Sequence, residues 1–117
     1  MNRLILVVDD DSSIRDLVSN FLEFEGFSVA TASNGLEALR VFELTQPAVV
    51  LLDMRMPILD GWGFVRELRA RGADAYIVVM TAAQDAKRWA NEVNAHACLP
   101  KPFELQDLLD AVQAPAA

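Results

Sequence analysis

The feature that most constrains this chain is the stretch Ala48-Val49-Val50-Leu51-Leu52-Asp53-Met54-Arg55-Met56-Pro57, in which an apolar run ends in a single carboxylate. A run this short, rich in Val and Leu and closed by a proline turn, reads as a strand buried on both faces. Asp53 then stands at its C-terminal tip. In open α/β sheets the carboxyl ends of the strands are where ligands bind, so an acid at that tip is a site candidate on position alone.

The rest of the chain arranges itself around that tip. Leu4-Ile5-Leu6-Val7-Val8 is a second short apolar run, and it also stops in acid, at Asp9, Asp10 and Asp11. Ser12 or Ser13 is placed to cap the following helix, on which Ile14, Leu17, Val18, Phe21 and Leu22 recur at helical spacing. Gly26 ends it with a left-handed residue. Residues 27–32 read as a strand anchored by Val29. Asn34 with Glu37 three residues on has the form of a capping box, opening a helix through Leu39 and Phe42 that Gln46-Pro47 terminates. Beyond the Asp53 strand, a turn from Pro57 to Gly61 leads into a helix built on Phe64, Val65 and Leu68 and closed at Gly72. Tyr76-Ile77-Val78-Val79-Met80 is the fourth strand, running into Thr81. A more polar helix starts near Asp85 with Ala86, Ala90 and Val93 inward, and Ala97-Cys98-Leu99 is a short last strand ending near Lys101. Leu105, Leu108, Leu109 and Val112 mark the final helix, with Ala114 to Ala117 expected to fray. Strands alternating with helices in this way predict an α/β fold with a parallel sheet, right-handed crossovers and helices on both faces.

Composition bounds the function. At 117 residues, 53% apolar and 23% charged, the chain reads as one domain over 1–117 with a core of its own. No apolar run approaches the ~18 residues of a membrane span, and Met1-Asn2-Arg3 leads into a strand instead of a signal peptide. The expected compartment is cytoplasmic, with no membrane partner. The lone Cys98 has no partner for an internal disulfide, which fits a reducing compartment. A net charge of −7 argues against nucleic acid as a direct partner, because phosphate binding needs a cationic footprint.

The strand ends gather a distinctive set of side chains: Asp9 and Asp10 after the first strand, Asp53 after the third, Thr81 after the fourth and Lys101 after the fifth. At an effective dielectric near 20, two carboxylates about 4 Å apart repel by roughly 4 kcal/mol. Such a cluster takes up protons or holds a cation. With oxygen donors only, the natural occupant is a hard divalent ion, Mg²⁺, which retains open positions for phosphate oxygens. That points to phosphoryl chemistry, with Asp53 as a carboxylate nucleophile and with Lys101 and Thr81 donating hydrogen bonds to the transferred group.

These motifs resemble the receiver domain of two-component response regulators over nearly the whole chain. The resemblance is carried by the acids of Val7-Val8-Asp9-Asp10-Asp11, by Leu52-Asp53-Met54-Arg55-Met56-Pro57 with Asp60-Gly61, by Met80-Thr81-Ala82 and by Lys101-Pro102-Phe103. It implies a flavodoxin-like, doubly wound (βα)5 fold with strand order 2-1-3-4-5, an order that periodicity does not supply. It further implies Asp53 as phosphoacceptor, Mg²⁺ on Asp9, Asp10, Asp53 and the backbone carbonyl of Arg55, and Thr81 and Lys101 on the phosphoryl group. The Lys101-Pro102 bond is expected to be cis. The implied partners are a histidine kinase or histidine phosphotransfer protein as donor and a downstream protein target. The implied output face joins the fourth helix, fifth strand and fifth helix, with homodimerisation through the same face as an option. Whether the chain stands alone or belongs to a longer regulator is left open.

Some residues carry blander or discordant readings. Asp11 is expected to be only a helix cap or solvated turn, and His96 merely exposed in a polar loop. Trp62 and Trp89 are expected to be partly buried, Trp89 with Lys87 and Arg88 as an alternative partner-facing anchor. Cys98 stands where the family usually carries an aromatic ring that turns as the threonine moves, so the coupling there is in question; its own role reads as a small apolar filler. Asn94 replaces a usual glycine, a change that Asn tolerates in left-handed backbone. Arg55 places a cation two residues past the acceptor.

Three rival functions are weaker. A receiver-like interaction module that is never phosphorylated is at odds with the intact acidic set. A phosphohydrolase with an aspartate nucleophile generally wants a second acid where Arg55 stands, and a flavodoxin-type carrier would meet phosphate with Asp9, Asp10 and Asp11.

Overall fold

The computed structural model describes residues 3–116. In chain order the elements are β1 (Leu4–Val8), α1 (Ser12–Phe24), β2 (Ser28–Ala32), α2 (Gly35–Thr45), β3 (Val49–Asp53), α3 (Gly61–Ala70), β4 (Tyr76–Ala82), α4 (Ala83–Glu92), β5 (Ala97–Lys101) and α5 (Leu105–Gln113). All strand pairs are parallel and the sheet order is β2-β1-β3-β4-β5. This is the flavodoxin-like (βα)5 arrangement that the resemblance implied.

Strand alternation decides which helix covers which face, because successive side chains point to opposite sides of the sheet. Leu6, Val8, Val50, Leu52, Ile77 and Val79 pack with α2, α3 and α4 through Leu39, Phe64 and Trp89. Their alternate neighbours Ile5, Val7, Val49, Leu51, Val78 and Met80 pack with α1 and α5 through Val18, Leu22 and Leu108. β3, at the centre, is buried at every residue, which is why its sequence is apolar without alternation. β2, at the edge, is largely open on its outer side and tolerates Ser28 and Thr31.

The helix ends correct several local expectations. Asp11 caps α1, as its blander reading expected, and takes the place offered to Ser12 or Ser13; its carboxylate accepts from the backbone N–H of Ser13 at 2.9 Å. Asn34 caps α2 by accepting from Glu37 N at 2.9 Å, but Glu37 reaches back to the N–H of Ser33 instead of closing the box on Asn34 itself. α4 begins at Ala83, earlier than its polar sequence suggested, continuing directly from β4. Gly26, Gly72 and Asn94 all adopt the left-handed backbone expected of them. Ala114–Ala116 form a short 3₁₀ turn where fraying was anticipated, and Ala117 lies outside the described residues.

His96 has more to do than its exposure suggests. Its ring Nδ1 accepts from Ile77 N at 3.0 Å while its backbone N–H donates to Ile77 O at 2.9 Å, and its ring stacks on Tyr76 with centroids 4.9 Å apart. The imidazole thereby satisfies a strand N–H at the start of the β4–β5 pairing. Trp89 is buried and Trp62 half-buried, meeting edge to face across α3 and α4, so packing takes up most of the Trp89 ring offered as a partner anchor. Cys98 is half-buried against the same core, consistent with a small apolar filler.

Candidate functional site

The register brings the acids together. β1 and β3 pair with Val8 opposite Leu52, so the next residues along, Asp9 and Asp53, are neighbours at the sheet's carboxyl edge. Asp9 follows Val7 by two, Asp53 follows Leu51 by two and Lys101 follows Leu99 by two. All three therefore project on the α1/α5 side, where Val7, Leu51 and Leu99 already point.

Asp9 is fully buried and held from three sides. Its carboxylate accepts from Asp11 N at 2.9 Å and from Lys101 Nζ at 2.9 Å, while its backbone carbonyl accepts from the Arg15 guanidinium at 2.7 Å. Lys101 Nζ also lies 3.8 Å from Asp53 Oδ1, making one ammonium the counterion of two buried carboxylates. Asp10 is exposed at the rim, and one oxygen each from Asp9, Asp10 and Asp53 fall within 4.8 Å of one another.

One ammonium paired with two of the three carboxylates, with the Arg15 guanidinium held on the Asp9 backbone carbonyl, leaves the cluster short of positive charge. Burial, with the charge of Asp9 next in size, pushes the Asp53 carboxyl from 3.8 up to about 7; the charge of Asp10 and its hydrogen bond add to this, while Lys101 opposes it. A convergent set of hard oxygen donors, one of them reluctant to ionise without further positive charge, is the chemistry that suits a divalent cation such as Mg²⁺. The residues fit the ion.

Thr81 is buried at the end of β4 and, with Asp53, Lys101, Ile14, Leu17 and Phe103, lines a cavity of about 570 Å³ above the strand tips. The Lys101-Pro102 bond is cis. Arg55 lies in the turn beyond Asp53, exposed, with its guanidinium carbon 6.0 Å from the Trp89 ring centroid. That turn is closed by Gly61 N donating to Met54 O at 2.9 Å, an approach so tight that a Cβ on residue 61 would lie 2.8 Å from Met54 Cα. Sequence reasoning missed the Arg15 contact and the apolar wall from Ile14 and Leu17. The first depends on a side chain folding back over the strand exit. The second was already present in the sequence as the apolar face of α1, which extends past the core.

A family model described as the response regulator receiver domain matches residues 5–113. The chain belongs to that family. This receiver domain is 42% identical over 112 residues to the response regulator MprA of Mycobacterium sp. (strain KMS), a match covering 94% of this chain and 49% of that protein. It is 40% identical over 112 residues to MprA of Mycobacterium leprae, with the same coverage. The chain thus spans about half the length of these curated relatives. Among solved structures, the chemotaxis protein CheY4 of Vibrio cholerae is 32% identical with a TM-score of 0.87, over 97% of this chain and 98% of that one. A response regulator receiver domain from Clostridium thermocellum is 34% identical with a TM-score of 0.84, over 96% and 92%. Membership makes phosphorylation-controlled signalling the function at its coarsest. Among the described residues no helix is long and apolar enough to cross a membrane.

Proposed function

We propose that the chain is a cytoplasmic phosphorylation switch in which Asp53 accepts a phosphoryl group from a phosphohistidine on a kinase or phosphotransfer partner. The observation that carries this reading is the shared ammonium: Lys101 Nζ at 2.9 Å from Asp9 and 3.8 Å from Asp53, beside a third acid at the rim. Asp9, Asp10, Asp53 and the Arg55 backbone carbonyl would hold Mg²⁺, whose positive charge offsets the repulsion between the acceptor and the incoming phosphoryl oxygens. In the transfer, an Asp53 oxygen forms a bond to phosphorus, the phosphorus–nitrogen bond to the donor imidazole breaks, and the imidazole nitrogen takes up a proton. Lys101, bonded to Asp9 with its ammonium 3.8 Å from Asp53, stabilises charge on the phosphoryl oxygens, and the Thr81 hydroxyl donates to one of them.

The consequence for signalling follows from connectivity. Thr81 is two residues from the start of α4, and Lys101 ends β5, so drawing both toward a phosphoryl group pulls on the face made by α4, β5 and α5. That face is the proposed contact for the downstream protein, or for a second copy of the domain. Nucleic acid is not proposed as a direct partner of this acidic chain. The test is labelling with acetyl phosphate in Mg²⁺: wild type takes up one acid-stable, base-labile phosphoryl group and Asp53→Asn takes up none. Equal labelling of the variant would overturn the assignment, as would a wild type that Mg²⁺ does not help.

A further inference from the structure

Arg55 follows Asp53 by two residues, so their Cα atoms are no more than roughly 7 Å apart, the most two extended residues span. Its exposed side chain reaches toward α4 and places the guanidinium carbon 6.0 Å from the centroid of Trp89. Trp89 is fixed in turn: it meets Trp62 at 5.0 Å and 68°, and Trp62 Nε1 donates to Glu92 Oε1 at 2.9 Å. A second cation, Arg88, lies 5.9 Å from the Trp89 ring, but it is bound to Asp85 at 2.6 Å. Among the described residues Arg55 has no carboxylate within ion-pair distance. Its charge therefore rests on a ring face, beside a cleft lined by Met54, Met56, Asp60 and Trp62 that leaves it room to move.

An exposed cation on a ring is a weak contact. A phosphoryl group offers the same guanidinium planar, charge-assisted and frequently bidentate hydrogen bonds, the stronger partner by a wide margin. We propose that the Arg55 guanidinium leaves Trp89 for the phosphoryl oxygens when Asp53 is loaded, and so releases α4 from the acceptor turn. This rests on Asp53 being the acceptor. It adds a route from site to output that does not run through Thr81: α4 is tied to the site at its first turn by the backbone following Thr81 and near its last turn by the Arg55–Trp89 contact. Loading would tighten the first tie and loosen the second, tilting the helix instead of simply shifting it.

The experiment is NMR on the whole domain in Mg²⁺ with and without beryllofluoride, a phosphoryl mimic that binds a carboxylate. Fluorine signals score occupancy at Asp53, while the Arg55 Nε–H and the amides of residues 86–92 score the proposal. In wild type, loading moves the Arg55 Nε–H out of the shielding region above the ring and shifts the α4 amides. In Arg55→Met, compared at equal occupancy, the α4 amide displacements fall by more than half, and Arg55→Lys restores part of them. An Arg55 Nε–H that does not move on loading, or α4 displacements of equal size in Arg55→Met, would overturn the inference while leaving the acceptor reading intact. Absence of any bound fluorine signal in wild type would overturn the acceptor reading itself, and this inference with it.

Discussion

Neutralising Asp53 should make the metal-free domain more stable, and only above the pH at which carboxylates ordinarily ionise. The Asp53 carboxyl is pushed from 3.8 to about 7 in the folded chain, first by burial and then by Asp9, against the pull of Lys101. The folded state thus holds its proton more tightly than the unfolded state does. Below about pH 4 both states are protonated and Asp53 costs nothing. As pH rises toward 7 the unfolded chain ionises first, stability falls, and above about 7 the loss is complete and constant. At about 1.4 kcal/mol per pKa unit the full effect is about 4 kcal/mol. Solvent at the Asp10 rim screens part of it, leaving about 2–3 kcal/mol. Asp53→Asn keeps the size and an acceptor for Lys101 while removing the charge. Urea unfolding in EDTA, followed by circular dichroism from about pH 4 to pH 8, should give matching stabilities at the acid end and a variant about 2–3 kcal/mol more stable at the alkaline end. Excess Mg²⁺ should close most of that gap by stabilising the wild type, since a ligand of the folded state alone stabilises it by mass action. A pH-independent difference, or a variant less stable at pH 8, would refute the electrostatic account of the site.

Three further perturbations probe the surroundings. Lys101→Met removes the ammonium shared by Asp9 and Asp53, and should cost roughly 3 kcal/mol near neutral pH, with the deficit shrinking on Mg²⁺ addition; denaturant midpoints that match wild type would count against the shared-counterion geometry. Ile58 is β-branched and exposed with φ of 72°, in a tight turn where Leu59 N donates to Pro57 O at 2.8 Å. Relief of strain there outweighs the flexibility glycine adds to the unfolded chain, so Ile58→Gly should raise stability by about 0.5–1 kcal/mol, and a lowered melting temperature would show the turn unstrained. His96→Phe keeps a ring on Tyr76 but leaves Ile77 N without its acceptor, and should cost about 1–2 kcal/mol with fast hydrogen exchange at the Ile77 amide; unchanged protection at that amide would contradict the assigned bond.

Much of the site is legible in the sequence because two regularities suffice to assemble it. A parallel sheet puts the C-terminal tips of all strands on one edge, and alternation by two puts Asp9, Asp53 and Lys101 on one face of that edge, so residues 92 positions apart meet without any special contact to find. The order of the strands came from the resemblance alone, since short apolar runs do not say which run lies beside which. Local chemistry was ambiguous where neighbours share it: Asp11, Ser12 and Ser13 can all cap a helix, and only the way the chain leaves β1 aligns Asp11 with the free N–H groups. The roles of His96 and Arg55 were illegible for another reason. Each depends on a partner in another segment, Ile77 and Trp89, and nothing in a solvent-facing side chain's own neighbourhood along the chain records what it touches across the fold.

The most direct test of the central claim is to find the phosphoryl bond itself. Domain loaded with acetyl phosphate in Mg²⁺ is reduced with borohydride, which converts an acyl phosphate to an alcohol and leaves free carboxylates untouched, and the modified peptide is sequenced by mass spectrometry. The account predicts reduction at Asp53 and nowhere else. Modification at Asp9 or Asp10 with Asp53 intact would contradict it.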